Sequence, residues 1–246
     1  MKGVAEELQS SVDLRKDSYI YNRVLFGTIA AERFNRLKAL IRKGRICLRS
    51  VICGIVMLCT KPNIQNFDGN IRFSIGVDMK PIVDDSSQFG ILKKNIIVDC
   101  PLKLIDDKHY KDTDSESIKN GDILEIQFRK VTDFVTEELS NKLQSMAKHF
   151  KRNNCPFNFS SINSQISDSK VIQINDLTDI PFTTTEQNPN GYSFHDLKVT
   201  EGLSPNESMS LSYITNSNSA MSISIHYTET KYMDSFVECF RTFIEN

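Results

Sequence analysis

Histidine is the side-chain type whose ordinary pKa lies nearest neutrality, and this 246-residue chain contains four. His109 sits in DKHYKD, His149 in AKHFKR, His195 in YSFHDL and His226 in SISIHYTE. General-base chemistry needs such a group within hydrogen-bond reach of the proton it removes. His195 and Asp196 are sequence neighbours, but successive strand residues point to opposite faces, so they cannot form a dyad. His226 belongs to a run in which Ser222 and Ser224 alternate with Ile223 and Ile225, and Ser210 and Ser212 alternate in the run before it. Two readings stand side by side. Ser210, Ser212 and His226 form the hydrogen-bonding wall of a pocket, or they are the wet face of an antiparallel sheet.

The remaining candidates carry less chemistry. Asp84-Asp85 and Asp106-Asp107 are adjacent loop carboxylates that do not converge and read as solvated. No H-E-x-x-H, P-loop or G-x-G-x-x-G motif occurs, and no G-x-S-x-G elbow. Cys47, Cys53 and Cys59 recur every six residues, which turns each about 240° from the last on a helix. They share no face, and the tight cysteine pairs of a structural zinc site are missing. With Cys239 they read as apolar fillers, and Cys100 and Cys155 have no neighbouring base. The residues alone therefore name no catalytic group, no metal site and no cofactor required for folding.

Composition sets the broader limits. Hydrophobic residues make up 39%, with 15 Phe, enough for a sizeable core, and the formal charge of −1 gives no case for nucleic acid. Residues 1–60 nevertheless carry eleven Lys/Arg against five Asp/Glu. That bias reads either as a solvated face or as a surface for a phosphate-bearing ligand or an acidic partner. The N-terminus has no secretory h-region, which implies a cytoplasmic protein with reduced thiols. The apolar run Ile46–Cys59, broken by Arg49 and Gly54, is too short for a transmembrane segment. Ile52, Ile55, Val56 and Cys59 follow helical spacing, so it reads as a core helix whose Cys and Gly residues permit close approach.

Around this helix the pattern gives a flexible segment at 1–17 and one lobe over 18–246, with a helical lead-in at 29–59 and sheet plus helices over 70–246. SYIYNRVLFGT reads as a strand, followed by a helix over 29–43 with Thr28 as N-cap and Gly44 closing it. Strands are predicted at 70–83, with Ile71, Phe73, Ile75 and Val77 on one side, near 96–100 and at 170–177. A long helix covers 122–150, its stripe comprising Ile126, Val131, Phe134, Val135, Leu139, Leu143 and Met146. YSFHDLKVTEG, SMSLSYITN and AMSISIHYTE give three more strands, the last two a hairpin. A terminal helix turns Phe236, Val237, Phe240 and Ile244 inward. The fold class is α/β, or two-layer α+β: a mixed sheet flanked by helices.

In this order the elements resemble the C-terminal half of CoA-dependent acyltransferases of the condensation-like superfamily, in particular fungal alcohol O-acetyltransferases and N-acetyltransferases. RFNRLKALIRKGRICLRSVICGIVML resembles that family's helix pair. IRFSIGVDMKPIVDDSSQFGI resembles its strand carrying an Asp-x-Arg pattern, with Lys80 where arginine is usual. ILEIQFRKVTDFVTEEL, KVIQINDLTDIPF, the serine-rich hairpin and SFVECFRTFIEN are similar to the elements that follow.

The resemblance implies the C-terminal lobe of a chloramphenicol-acetyltransferase-like fold, and transfer of acetyl from acetyl-CoA to an alcohol or amine by proteins about twice this length. It implies a base within H-x-x-x-D, and no His here fits. Thr113, Asn153, Val199 and Thr230 stand four residues after His109, His149, His195 and His226. No catalytic residue is carried over. The expectation is a truncated acetyltransferase-like protein, inactive alone, whose partner is a first-half acyltransferase polypeptide or a second copy of itself. The alternative is a non-catalytic binding or interaction module.

Overall fold

The computed structural model describes residues 22–60, 69–79, 93–105, 120–153, 171–178, 197–203, 207–216, 219–228 and 231–245. Among these residues lie six strands: β1 (Asn22–Ile29), β2 (Asn70–Asp78), β3 (Lys93–Pro101), β4 (Val171–Asp176), β5 (Glu207–Thr215) and β6 (Met221–Thr228). The helices are α1 (Ala31–Gly44), α2 (Leu48–Thr60), α3 (Asn120–Asn153) and α4 (Lys231–Glu245), with a 3-10 turn at Leu102–Ile105. The strands form one sheet in the order β1-β6-β5-β4-β2-β3. Pairing is parallel for β2–β4 and β4–β5 and antiparallel elsewhere, so the expected mixed α/β sheet flanked by helices is what the chain forms.

Period-two alternation sorts the strands' side chains. Phe73, Ile75 and Val77, then Ile96, Val98 and Cys100, Ile172 and Ile174, Met209, Leu211 and Tyr213, and Ile223, Ile225 and Tyr227 all join one buried cluster. Helix α2 supplies Ile52, Cys53, Val56, Met57, Leu58 and Cys59 to it, α3 supplies Val131, Val135 and Leu139, and α4 supplies Phe236 and Phe240. The apolar run is thus a core helix. Cys53, Cys59 and Cys100 are buried, and desolvation pushes their thiols up, Cys100 to about 12. Cys47 and Cys239 are only partly buried, while Cys155 lies outside the described residues. Among the described residues no group of His, Cys, Asp and Glu could hold a metal, and no helix is long and apolar enough to cross a membrane.

Gly54 explains how closely α2 and α3 approach. A Cβ built there would lie 2.8 Å from the Phe128 ring and 3.2 Å from the Thr132 methyl. One turn earlier, Thr136 donates to Ser50 Oγ at 2.8 Å, and Ser50 Oγ lies 2.8 Å from Cys47 Sγ. At the same end of α2, Arg49 meets Asp176 at 3.2 Å, with their side chains 20% and 7% exposed. The Asp176 carboxylate also accepts from the Thr178 amide at 3.0 Å and the Thr178 hydroxyl at 2.6 Å. Tyr213, the register partner of Asp176, is buried with no hydrogen-bond partner for its hydroxyl among the described residues. Burial first, then the Asp176 charge, pushes its pKa upward.

Several boundaries differ from the sequence expectation. Thr28 is not an N-cap, because β1 runs on to Ile29 and Ala30 takes the cap position with no side-chain bond. Gly44 completes α1, and Arg45 adopts the left-handed conformation at φ 53°, where Ile46 N–H reaches Ile41 O at 3.2 Å. The long helix is longer at both ends, and its buried stripe includes Gln127 rather than Ile126. The Gln127 amide donates to Ile105 O at 3.1 Å, so a hydrogen bond to the 3-10 turn satisfies the buried amide. The described part of 192–202 forms no strand.

Three substitutions test this packing. Gly54→Val should destabilise the fold by about 1–3 kcal/mol through overpacking against Phe128, read from the urea midpoint at constant m-value. Asp176→Asn should cost about 3 kcal/mol by removing the buried carboxylate charge that Arg49 meets. Tyr213→Phe should be neutral or slightly stabilising by the same measurement, because the hydroxyl it removes makes no bond. A loss of 2 kcal/mol or more, on the order of a broken buried hydrogen bond, would contradict that account.

Candidate functional site

The sheet face turned away from the helices is where the alternating polar residues collect. Register aligns Gln173 with Ser210 and Asn175 with Ser212, then Ser210 with His226 and Ser212 with Ser224. The structure therefore brings Ser210, Ser212 and His226 together on one face. His109 and His195 lie outside the described residues, and the His149 side chain is not described.

This face is dry at its centre. Ser210, Ser212, Ser222 and Ser224 are each 1–2% exposed, and Asn175 is 4% exposed. Small side chains contribute to that burial, and residues 197–203 lie across the face as an irregular strap. At one end the Leu197 amide donates to Asn216 Oδ1 at 3.3 Å, while Asn216 Nδ2 donates to Ser222 Oγ at 2.7 Å. In the middle Ser224 Oγ donates to Val199 O. At the other end Glu201 is held twice. Its carboxylate accepts from Asn175 Nδ2 at 2.9 Å and Gln173 Nε2 at 3.3 Å. Its carbonyl lies 2.7 Å from His226 Nδ1.

Asn175 is the centre of this network. Its amide nitrogen also reaches Ser210 Oγ at 3.3 Å and Ser212 Oγ at 3.4 Å, and its oxygen accepts from Gln173 Nε2 at 3.1 Å. Because a carbonyl can only accept, the His226 contact places the proton on Nδ1 and leaves Nε2 as the basic nitrogen of the neutral ring. The arrangement can thus orient one imidazole, while the hydroxyls nearest it are engaged with Asn175 and the strap.

Sequence reasoning singled out Ser210, Ser212 and His226 but not Gln173, Asn175, Glu201 and Asn216, which share their hydrogen-bond network. For Gln173 and Asn175 the signal was amides at alternate positions of the largely apolar strand KVIQINDL. The 197–203 segment was misread because Leu197, Val199 and Glu201 carry strand-like alternation. That period here serves contacts made with side chains of the sheet, not ladder pairing.

Toward its edges the same face is more open. Val24 and Phe26 on β1 and Ile97 on β3 are exposed, with Lys198 Nζ 5.6 Å from the Phe26 ring centre. Arg72 and Asp99 pair across β2 and β3 through bonds of 2.6 and 3.2 Å. Lys142 covers the outer strand by donating to Ile97 O at 2.7 Å. A separate open groove of about 550 Å³ lies among β1, β6 and α4, lined in part by Arg23, Tyr227, Glu238 and Arg241. It includes none of Ser210, Ser212 or His226.

The sheet order and helix layer define an α/β fold that the chain shares with solved structures of low sequence identity. Polyketide synthase associated protein 5 from Mycobacterium tuberculosis matches with a TM-score of 0.51 at 14% identity, over 91% of this chain and 52% of that one. F. sporotrichioides TRI101, solved in complex with coenzyme A and T-2, matches at 0.52 and 14%, over 91% and 49%. Among curated proteins, PSTB2-interacting protein 1 of Saccharomyces cerevisiae (strain ATCC 204508 / S288c) is 34% identical over 260 residues. That alignment covers 96% of this chain and 50% of the relative, so the chain spans about half the length of the curated protein it matches. No protein-family model matches the chain.

The strap's attachment is testable. Asn175→Ala removes the amide that joins Glu201 to both serines and should destabilise the protein by about 2 kcal/mol. Amide hydrogen exchange over 197–203 should quicken by more than the global loss accounts for. Unchanged protection in the strap would mean that other contacts hold it.

Proposed function

We propose that this chain is a cytoplasmic recognition module built on an acyltransferase-like lobe over 18–246, and that it does not transfer acetyl groups by itself. One observation supports the reading: residues 197–203 are hydrogen-bonded across the polar face, and the Ser210 and Ser212 hydroxyls beside His226 contact Asn175, so the chain's own strap occupies the place where a substrate would have to sit. Acyl transfer needs a base free to take the nucleophile's proton and donors aimed at the developing oxyanion. Ser210, Ser212 and His226 would line an acceptor pocket only with 197–203 displaced. The relative's name supports a partner-binding role, and PSTB2-type proteins are the partners to try first.

A second reading has its own support, in TRI101's complex with coenzyme A and in the half-length match. In it the chain is a truncated acetyltransferase-like lobe, one half of a split enzyme. A complementary first-half polypeptide then supplies the H-x-x-x-D base, and acetyl-CoA serves as donor to an alcohol or amine.

Both readings meet in one experiment. Purified protein is assayed for CoA release from acetyl-CoA with short alcohols and long-chain amines, and for capture of PSTB2. The expected outcome is capture without CoA release above the buffer rate. Turnover that disappears in His226→Ala but persists in Ser222→Ala would overturn the recognition reading and assign the base to His226.

A further inference from the structure

Helix α1 is attached to the fold by a narrow side. Phe34 is its one buried residue, with Leu37 and Ile41 partly buried beside it and Lys38 Nζ 4.7 Å from the Phe34 ring centre. The rest of the helix faces outward. Within Ala31–Gly44 there are five Lys/Arg against one acidic residue, Glu32. Arg33, Arg36, Leu40 and Lys43 recur at spacings of three and four, which places them on one outward stripe. All four are exposed, and Leu40 is 64% exposed between Arg36 one turn before it and Lys43 one turn after. Arg42 and Arg45 extend the basic surface at the helix end.

An outward leucine contributes nothing to the core, and Arg36 is engaged only by the equally exposed Glu32 in the contact resolved there. Such exposed pairs contribute about 0–1 kcal/mol. An apolar side chain ringed by guanidinium and ammonium groups instead matches a protein surface that offers carboxylates around a small apolar recess. Arginine suits that role because its planar fork pairs with carboxylates through two bonds. The chemistry favours an acidic protein over a lipid surface, because the stripe holds one aliphatic residue and no aromatic one, and Phe34 is turned inward. Helices that lie in a membrane interface present a broad apolar face.

We infer that the Arg33–Arg36–Leu40–Lys43 stripe of α1 is a docking surface for an acidic protein segment, with Leu40 as its apolar anchor. This names the contact surface for the recognition role proposed above and rests on that role. Charge steers the encounter and Leu40 supplies the desolvated centre, so affinity falls with added salt and falls again when the leucine is removed at constant charge.

Two variants separate the contributions: Arg33→Gln with Arg36→Gln and Lys43→Gln, and Leu40→Ser alone. Each is compared with wild type for binding a fluorescent peptide of alternating glutamate and leucine, by anisotropy at two salt concentrations. Unchanged circular dichroism and thermal midpoint establish that the fold is intact. The triple variant should bind about tenfold more weakly and lose most of its salt dependence. Leu40→Ser should weaken binding about fivefold and keep its salt dependence. Equal peptide affinity in all three proteins would overturn the inference. So would wild-type binding to phosphatidylserine vesicles without binding to the peptide. PSTB2 capture is run on the same proteins: capture that survives the triple variant removes α1 as the docking surface and leaves the recognition role standing. Absence of capture by wild type counts against PSTB2 as partner, while the peptide result still judges the helix.

Discussion

Register across the three central strands is the constraint that the rest of this structure obeys. In β5, Met209, Leu211 and Tyr213 alternate with Ser208, Ser210 and Ser212, and β6 alternates in step. A slip of one residue would turn the serines toward α2 and α3 and set Leu211 and Tyr213 beneath the strap. Each face would then bury the wrong chemistry. Contacts at the β5–β6 connection help hold the alignment: Asn216 N–H donates to Ala220 O at 2.8 Å, and Ser219 N–H donates to Asn216 O at 2.9 Å. Ser219 takes a positive φ of 63° there. For a non-glycine residue that conformation costs about 1–2 kcal/mol, a local expense that the paired strands offset.

The two faces solve burial differently. On the helix side, branched and aromatic groups fill the space, and the buried charge of Asp176 is met by Arg49 and Thr178. On the strap side, hydroxyls and amides are buried almost as completely and therefore need partners. Asn175 and Glu201 supply them from positions 26 residues apart in sequence. The helix side depends on shape, at Gly54 above all, whereas the strap side depends on matching donors to acceptors.

Those differences explain what was legible in the sequence. Apolar periodicity exposed α2, β2, the hairpin and α4 because their buried stripes are long and regular. The order of strands and helices read from that periodicity carried the fold class. The pairing of Asn175 with Glu201 was invisible because it is non-local and involves one residue on a strand and one on an irregular segment. The strap itself was misread for a physical reason. Alternation records which side chains face the sheet, and a chain lying across a sheet alternates as a strand within one does. Position 126 was assigned inward because hydrophobicity was taken to decide burial. The adjoining Gln127 won that place through its bond to Ile105 O.

Phe34 joins α1 to the cluster on the helix side, whereas Ser210, Ser212 and His226 lie beneath the strap on the opposite side. The sheet's apolar layer separates them. Substitutions on the outward stripe of α1 can therefore alter charge and contact area without disturbing the Asn175 network, and loosening the strap need not move α1. That separation has a consequence for function. A protein that binds its partner through α1 is free to keep its polar face shut, whereas one that works through the polar face must first lift Glu201 from Asn175, Gln173 and His226. Opening that face would leave at least one buried amide and a carboxylate seeking new partners, so a ligand entering there must replace those hydrogen bonds as well as fill the space.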